Sequence, residues 1–130
     1  MAELTGQDRM RYHRQMLLTG WGEAGQRRLK ESSVLVAGAG GLGSPVCLYL
    51  AAAGVGELRI VDSDEVELSN LNRQILHSEG RLGMSKAESA AQALNVLNSG
   101  VRVTPFVEQL GASNIERILG EARLVVDCLD

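Results

Sequence analysis

A doubly wound α/β fold, a parallel sheet with helices packed on its faces, is predicted by three features of the chain. Short apolar runs alternate with stretches of helical periodicity. A glycine turn, Gly38-Ala39-Gly40-Gly41-Leu42-Gly43, joins the first apolar run to the helix that follows it. Asp62 follows Gly43 by 19 residues and ends the second apolar run, where nucleotide-binding sheets of this class carry an acidic residue.

The 130 residues suffice for one domain, which we divide into a helical arm (1–32) and Rossmann-like β-α units (33–130). The arm reads as two short helices between 7 and 30, broken at Thr19-Gly20-Trp21-Gly22. Residues 33–37 are apolar and end at the glycine turn, as in a buried parallel strand. Ser44-Pro45 reads as an N-cap and first helical residue, opening a helix to Ala53 that Gly54 and Gly56 close. A strand is expected over 58–61. A helix over 85–97 should bury Ala87, Ala90, Ala91, Leu94 and Leu97 on one face. Asn98-Ser99-Gly100 ends it, and 101–107, 114–119 and 124–126 read as strand, helix and strand. The chain stops at Asp130, just past this fourth strand. An open apolar edge there leads us to expect the N-terminal piece of something longer, truncated after the fourth strand, or a chain completed by another.

Composition narrows the function classes. At 45% hydrophobic and 22% charged the chain is expected to fold rather than stay disordered. It holds no apolar run of membrane-spanning length and no signal-peptide pattern at its start, so no membrane partner and a cytoplasmic location are expected. A net charge of −3 with interspersed signs argues against nucleic acid. Cys47 and Cys128 belong to no CxxC pair and read as buried structural thiols.

The glycine turn brings backbone N–H groups and a helix N-terminus to a phosphate, through Gly38, Gly40, Gly41 and Gly43. Asp62 is placed for ribose hydroxyls, and Asp64, two residues on, for the ligand or for the loop itself. These residues suit a nicotinamide dinucleotide equally well. The long polar segment before the next helix does not belong to that reading. It carries Asn70, Asn72, Arg73, Gln74, His77, Arg81 and Lys86, where an ordinary crossover starts its helix within a few residues. Arg73 and Lys86 are two cations beside a phosphate chain, and Asn70 and Gln74 have amides for its oxygens. His77 reads as structural. In the doubly wound order the fourth strand lies beside the first, so Asp130 faces the glycine turn and can hold Mg²⁺ against phosphate oxygens.

Seven motifs together resemble the ubiquitin-activating-like adenylyltransferases of sulfur-carrier proteins, the MoeB, ThiF and HesA group. They are Arg11-Tyr12-x-Arg14-Gln15, the glycine turn with Ser44, Gly54-Val55-Gly56, Asp62-x-Asp64, Leu68 to Gln74 (LSNLNRQ), Gly83-x-x-Lys86 and Asp127-Cys128-x-Asp130. The resemblance implies an N-terminal ATP-binding part of an adenylyltransferase domain. It implies ATP on Gly41, Asp62, the Asn70 to Arg73 stretch and Lys86, with Asp130 at the magnesium. It further implies a homodimer in which Arg14 reaches the partner subunit's ATP, and a ubiquitin-like sulfur-carrier protein whose C-terminal glycine carboxylate is adenylated. Zinc is implied only in a longer form that carries CxxC pairs. Two other functions remain open on the residues alone: an NAD-binding oxidoreductase domain, and a non-catalytic nucleotide-binding module.

Overall fold

The computed structural model describes residues 2–130. Four parallel strands, β1 (Ser33–Ala37), β2 (Glu57–Val61), β3 (Arg102–Phe106) and β4 (Leu124–Asp127), lie in the order β3-β2-β1-β4. The fourth strand is therefore beside the first, with Val34 opposite Leu124 and Ala37 opposite Asp127. Residues of alternate parity on β1 bury on opposite faces, as the pleat requires. Val34 and Val36 join Leu58 and Ile60 against α4 (Gly43–Ala53) and α5 (Lys86–Leu97), whose Cys47, Ala51, Ala90 and Leu94 are buried there. Leu35, Ala37 and Val61 face the other way, under Ile118 of α6 (Ile115–Leu119) and Ala122.

Three helices precede the sheet where two were expected: α1 (Gly6–Arg11), α2 (His13–Met16) and α3 (Gly22–Glu31). α1 opens with a capping box, Thr5 Oγ1 accepting from the Asp8 amide and the Asp8 carboxylate from the Thr5 amide. The extra break falls at Tyr12, whose ring is buried against Gly54 and whose hydroxyl accepts from Asn98 Nδ2 at 2.7 Å. That distant anchor fixes the ring, and the backbone between α1 and α2 leaves helical geometry at this one residue. Gln15 and Gln26 both donate to the Ala53 carbonyl, and Gln26 Oε1 also accepts from Trp21, fastening the arm to the end of α4.

Two further expectations are corrected. Ser44 is not an N-cap: α4 begins at Gly43 after Leu42, and Ser44 Oγ donates back to the Gly40 carbonyl at 2.6 Å. Gly43 lies so close to the Gly38 carbonyl that the chain can turn into the helix one residue earlier. Pro45 still breaks nothing, because a proline in the first turn lacks an amide that has no partner there. Leu97 is 41% exposed, since the last turn of α5 runs past the sheet. Asn98 takes the buried place, donating to the Ala51 carbonyl as well as to Tyr12.

Candidate nucleotide site

The carboxyl ends of the strands enclose a cavity of about 550 Å³. Gly38, Gly40, Gly41, Asp62, Asp64, Arg73, Gln74, Lys86 and Asp130 all line it, so nine residues expected at a ligand from four separate segments do meet. Gly43, Asn70 and Arg14 do not reach it. Gly43 packs underneath, in the first turn of α4. Asn70 turns its Oδ1 to the Glu67 amide, capping a 3₁₀ turn at Leu68–Asn70. Arg14 lies on α2, exposed.

The glycine turn does two different jobs. At Gly38 φ is +100°, and an added Cβ would stand 2.6 Å from the Cys128 carbonyl oxygen, so this glycine lets β1 and β4 close on each other. At Gly40 and Gly41 the neighbours are side chains instead of backbone: an added Cβ would stand 3.3 Å from Gln74 Nε2 at Gly40 and 3.9 Å from Arg73 Nε at Gly41. Among the described residues the amides of Gly40 and Gly41 have no hydrogen-bond acceptor. The Ala39 amide does: it donates to Asp62 Oδ2 at 2.9 Å, while Asp62 Oδ1 accepts from the Asp64 amide. Asp62 thus ties the glycine turn to β2, with lone pairs left over on the cavity side.

Lys86 opens α5, where Ser85 caps the helix, and is only 7% exposed. Its nearest carboxylate, Asp64, is 4.0 Å away and itself solvated. Gln74 is buried, and its Oε1 has no partner. A buried amide oxygen without a donor is costly unless a ligand completes it, and Lys86, its stem buried, presents its ammonium at the cavity with no carboxylate in close contact. These groups fit a polyphosphate with hydroxyls. Among the described residues no three His, Cys, Asp or Glu side chains gather to hold a metal ion. Asp130 lines the cavity, and a single carboxylate there is compatible with Mg²⁺, which takes one or two carboxylates and draws its other ligands from phosphate and water.

Glu108, Gln109 and Leu110 also line the cavity and were not anticipated. Their segment follows the carboxyl end of β3, and that position is the signal from which they could have been found. Arg117 beside Glu108 holds its carboxyl below the ordinary value. At the base of the cavity burial raises the Cys128 thiol, and deeper in the core burial pushes Cys47 up to about 12. Both thiols are protonated at neutral pH and act as packing groups, as their sequence context suggested.

His77 is 6% exposed and sits behind the glycine turn. Burial pushes its pKa below the ordinary 6.5, assisted by the nearby Lys86 and Arg81 and opposed by the Ala39 hydrogen bond and Asp62. The unfolded chain therefore binds a proton near pH 6.5 that the folded chain refuses, and stability rises with pH through that window. Unfolding by urea should show the His77 contribution complete above pH 6.5 and lost as pH falls toward the lowered folded value. In His77→Gln this segment of the profile should flatten; an unchanged slope would contradict the assignment.

The ThiF family model matches residues 12–130. Among curated relatives, the adenylyltransferase and sulfurtransferase MOCS3 of Xenopus laevis is 49% identical over 127 residues, 98% of this chain and 28% of its own length. Its namesake in Arabidopsis thaliana is 52% identical over 120 residues, 92% of this chain and 26% of its own. The chain thus spans little more than a quarter of these relatives. Among solved structures, E. coli tRNA N6-threonylcarbamoyladenosine dehydratase TcdA in complex with ATP superposes with a TM-score of 0.91 at 28% identity, over 99% of this chain and 53% of that one. E. coli MccB with ATP gives 0.71 at 33% identity, over 77% of this chain and 30% of that one. No helix among the described residues is long and apolar enough to cross a membrane.

Proposed function

The chain belongs to the ThiF family, and from that premise we propose that its cavity binds ATP and, in the intact protein, adenylates the C-terminal glycine carboxylate of a ubiquitin-like sulfur-carrier protein. The observation that carries this reading is Lys86: a cation on a buried stem, 4.0 Å from its nearest carboxylate, lining the same cavity as Gly40 and Gly41, whose amides have no acceptor among the described residues. A nicotinamide site has no need of it. ATP complexes of TcdA and MccB, built on the same fold, support the choice of nucleotide.

The chemistry follows from charge. A carboxylate oxygen of the carrier attacks the α-phosphorus; the bond to the bridging oxygen breaks, and pyrophosphate leaves with the electron pair. Attack requires two anions to approach, so Arg73 and Lys86 lower the barrier by offsetting the charge that builds on the phosphate oxygens. Gly40 and Gly41 amides orient the phosphate chain, and Asp62 the ribose. Asp130 is the residue that would hold Mg²⁺, which supplies further positive charge against the phosphates. No side chain need act as a nucleophile.

A homodimer with Arg14 working at the partner's site is part of this reading. It is supported by an exposed apolar surface: α4 carries no charged residue, Tyr49 on it is 77% exposed, and Leu42 just before it is 65% exposed. A helix without charges on its outer side asks for a partner. Leu17 and Leu18, at the end of α2 near Arg14, are exposed as well.

The test is carrier-dependent ATP–pyrophosphate exchange by the intact protein, with calorimetry of Mg-ATP against NADH. Exchange and Mg-ATP binding are expected. Tight NADH binding without ATP binding would overturn the proposal, and ATP binding without exchange would leave only a nucleotide-binding module.

A further inference from the structure

His77, Ser89 and Arg81 form a buried chain that ends on the backbone of the glycine turn. His77 Nε2 lies 2.7 Å from the Ala39 carbonyl oxygen, and Nδ1 lies 2.8 Å from Ser89 Oγ. A carbonyl only accepts, so Nε2 carries the proton. Nδ1 is then the acceptor, and the Ser89 hydroxyl donates to it while accepting from Arg81 Nε at 2.8 Å. Arg81 is itself fixed, donating to the Leu76 carbonyl at 2.9 Å. With the ring neutral, every donor and acceptor in the chain is matched in one direction, which leaves a single tautomer.

The opposite side of the same residue is gripped too. The Ala39 amide donates to Asp62, so one residue of the turn is held through its N–H from β2 and through its C=O from the long loop and α5. The next two residues, Gly40 and Gly41, are those with free amides toward the cavity. Glycine-rich backbone is the least ordered kind when unheld, and ordering it on binding would subtract from affinity.

We propose that His77 is a positioning residue: with its proton on Nε2, and aligned by Ser89 and Arg81, it clamps Ala39 against Asp62 and presets the Gly40 and Gly41 amides for a phosphate. Its effect on ATP affinity rests on the nucleotide reading given above, whereas the clamp does not. The groups facing the imidazole are Lys86 at the start of α5, Arg81 and Asp62. A second proton, on Nδ1, would make the Ser89 hydroxyl accept from both His77 and Arg81, leaving its own proton without the partner it has now, and would stand beside two cations.

The test uses the intact protein without and with Mg-ATP. In the wild type, nitrogen-15 histidine spectra at neutral pH should report the neutral ring protonated on Nε2. His77→Leu should speed amide exchange at Ala39, whose N–H is bonded to Asp62, and weaken Mg-ATP about 10-fold, the typical effect of an unmet buried acceptor. His77→Gln, which keeps a donor near the Nε2 position, should restore most of both. An Nδ1-protonated or charged ring in the wild type would overturn the clamp even if His77→Leu does not fold. So would a folded His77→Leu with unaltered exchange at Ala39. Faster exchange at Ala39 in a protein whose wild type binds no Mg-ATP would uphold the clamp and sink the nucleotide reading instead.

Discussion

Arg73→Ala should lower carrier-dependent ATP–pyrophosphate exchange by about 10²–10³-fold, the loss seen when one preset donor to a developing anion is removed. The side chain is exposed and bonds only its own loop, donating to the Ser69 carbonyl and to Asn72 Oδ1. Its removal should therefore leave folding nearly untouched, with unfolding midpoints close to wild type. The same weak tethering keeps the guanidinium over Gly41, which is where phosphate oxygens would lie against the turn. Arg73→Lys retains charge but not the planar fork, so intermediate exchange is expected. Full exchange in Arg73→Ala would remove this residue from the chemistry.

The same variant separates action within a subunit from action across a dimer. Arg14→Ala should also lose exchange, because α2 stands away from its own cavity. When the two inactive variants are mixed and allowed to exchange subunits, half the dimers are hybrids. One of the two sites in each hybrid then combines an intact Arg73 with an intact Arg14 from the partner. Activity should recover to about a quarter of the wild-type level. If Arg14 serves its own subunit, every site in the mixture lacks one arginine and the mixture stays inactive.

The framework of the fold was legible because its signals are local. The run Val34 to Ala37 between a polar start and a glycine turn reads as a buried strand from composition alone. The errors sit where distant contacts decide. Tyr12 breaks a helix because Asn98, far along the chain, holds its hydroxyl. Gly43 advances a helix start because it packs on the Gly38 carbonyl. The site shows the same division. Asp62, Arg73 and Lys86 could be placed from spacing after a glycine turn, since strand ends in a parallel sheet share one edge. Glu108 to Leu110 carry no motif, and only the order β3-β2-β1 brings them to that edge. Asp62 also holds the turn itself, and nothing in its spacing reveals that it accepts the Ala39 amide.

Gly41→Ala and Gly43→Ala, two residues apart, should fail in opposite ways. At Gly43 an added methyl would overlap the Gly38 carbonyl, which is backbone, in a residue whose amide is held by the Val61 carbonyl of β2. Nothing flexible is there to move aside, so a loss of at least about 3 kcal/mol, or failure to fold, is expected. Gly41 differs in each respect. Its φ is not in the left-handed region, and the atom nearest to an added Cβ is Arg73 Nε at 3.9 Å. Alanine fits there in the free protein, and stability should change by less than about 1 kcal/mol, in either direction. The methyl would nevertheless project into the cavity in front of the two free amides, where a phosphate must come within hydrogen-bonding distance of backbone. Mg-ATP affinity should drop about 10-fold or more for want of that approach. Urea unfolding and calorimetry on both variants give the two readouts. Unchanged ATP affinity in Gly41→Ala would mean that the phosphates lie elsewhere, and a stable Gly43→Ala would mean that the turn is looser than its packing indicates.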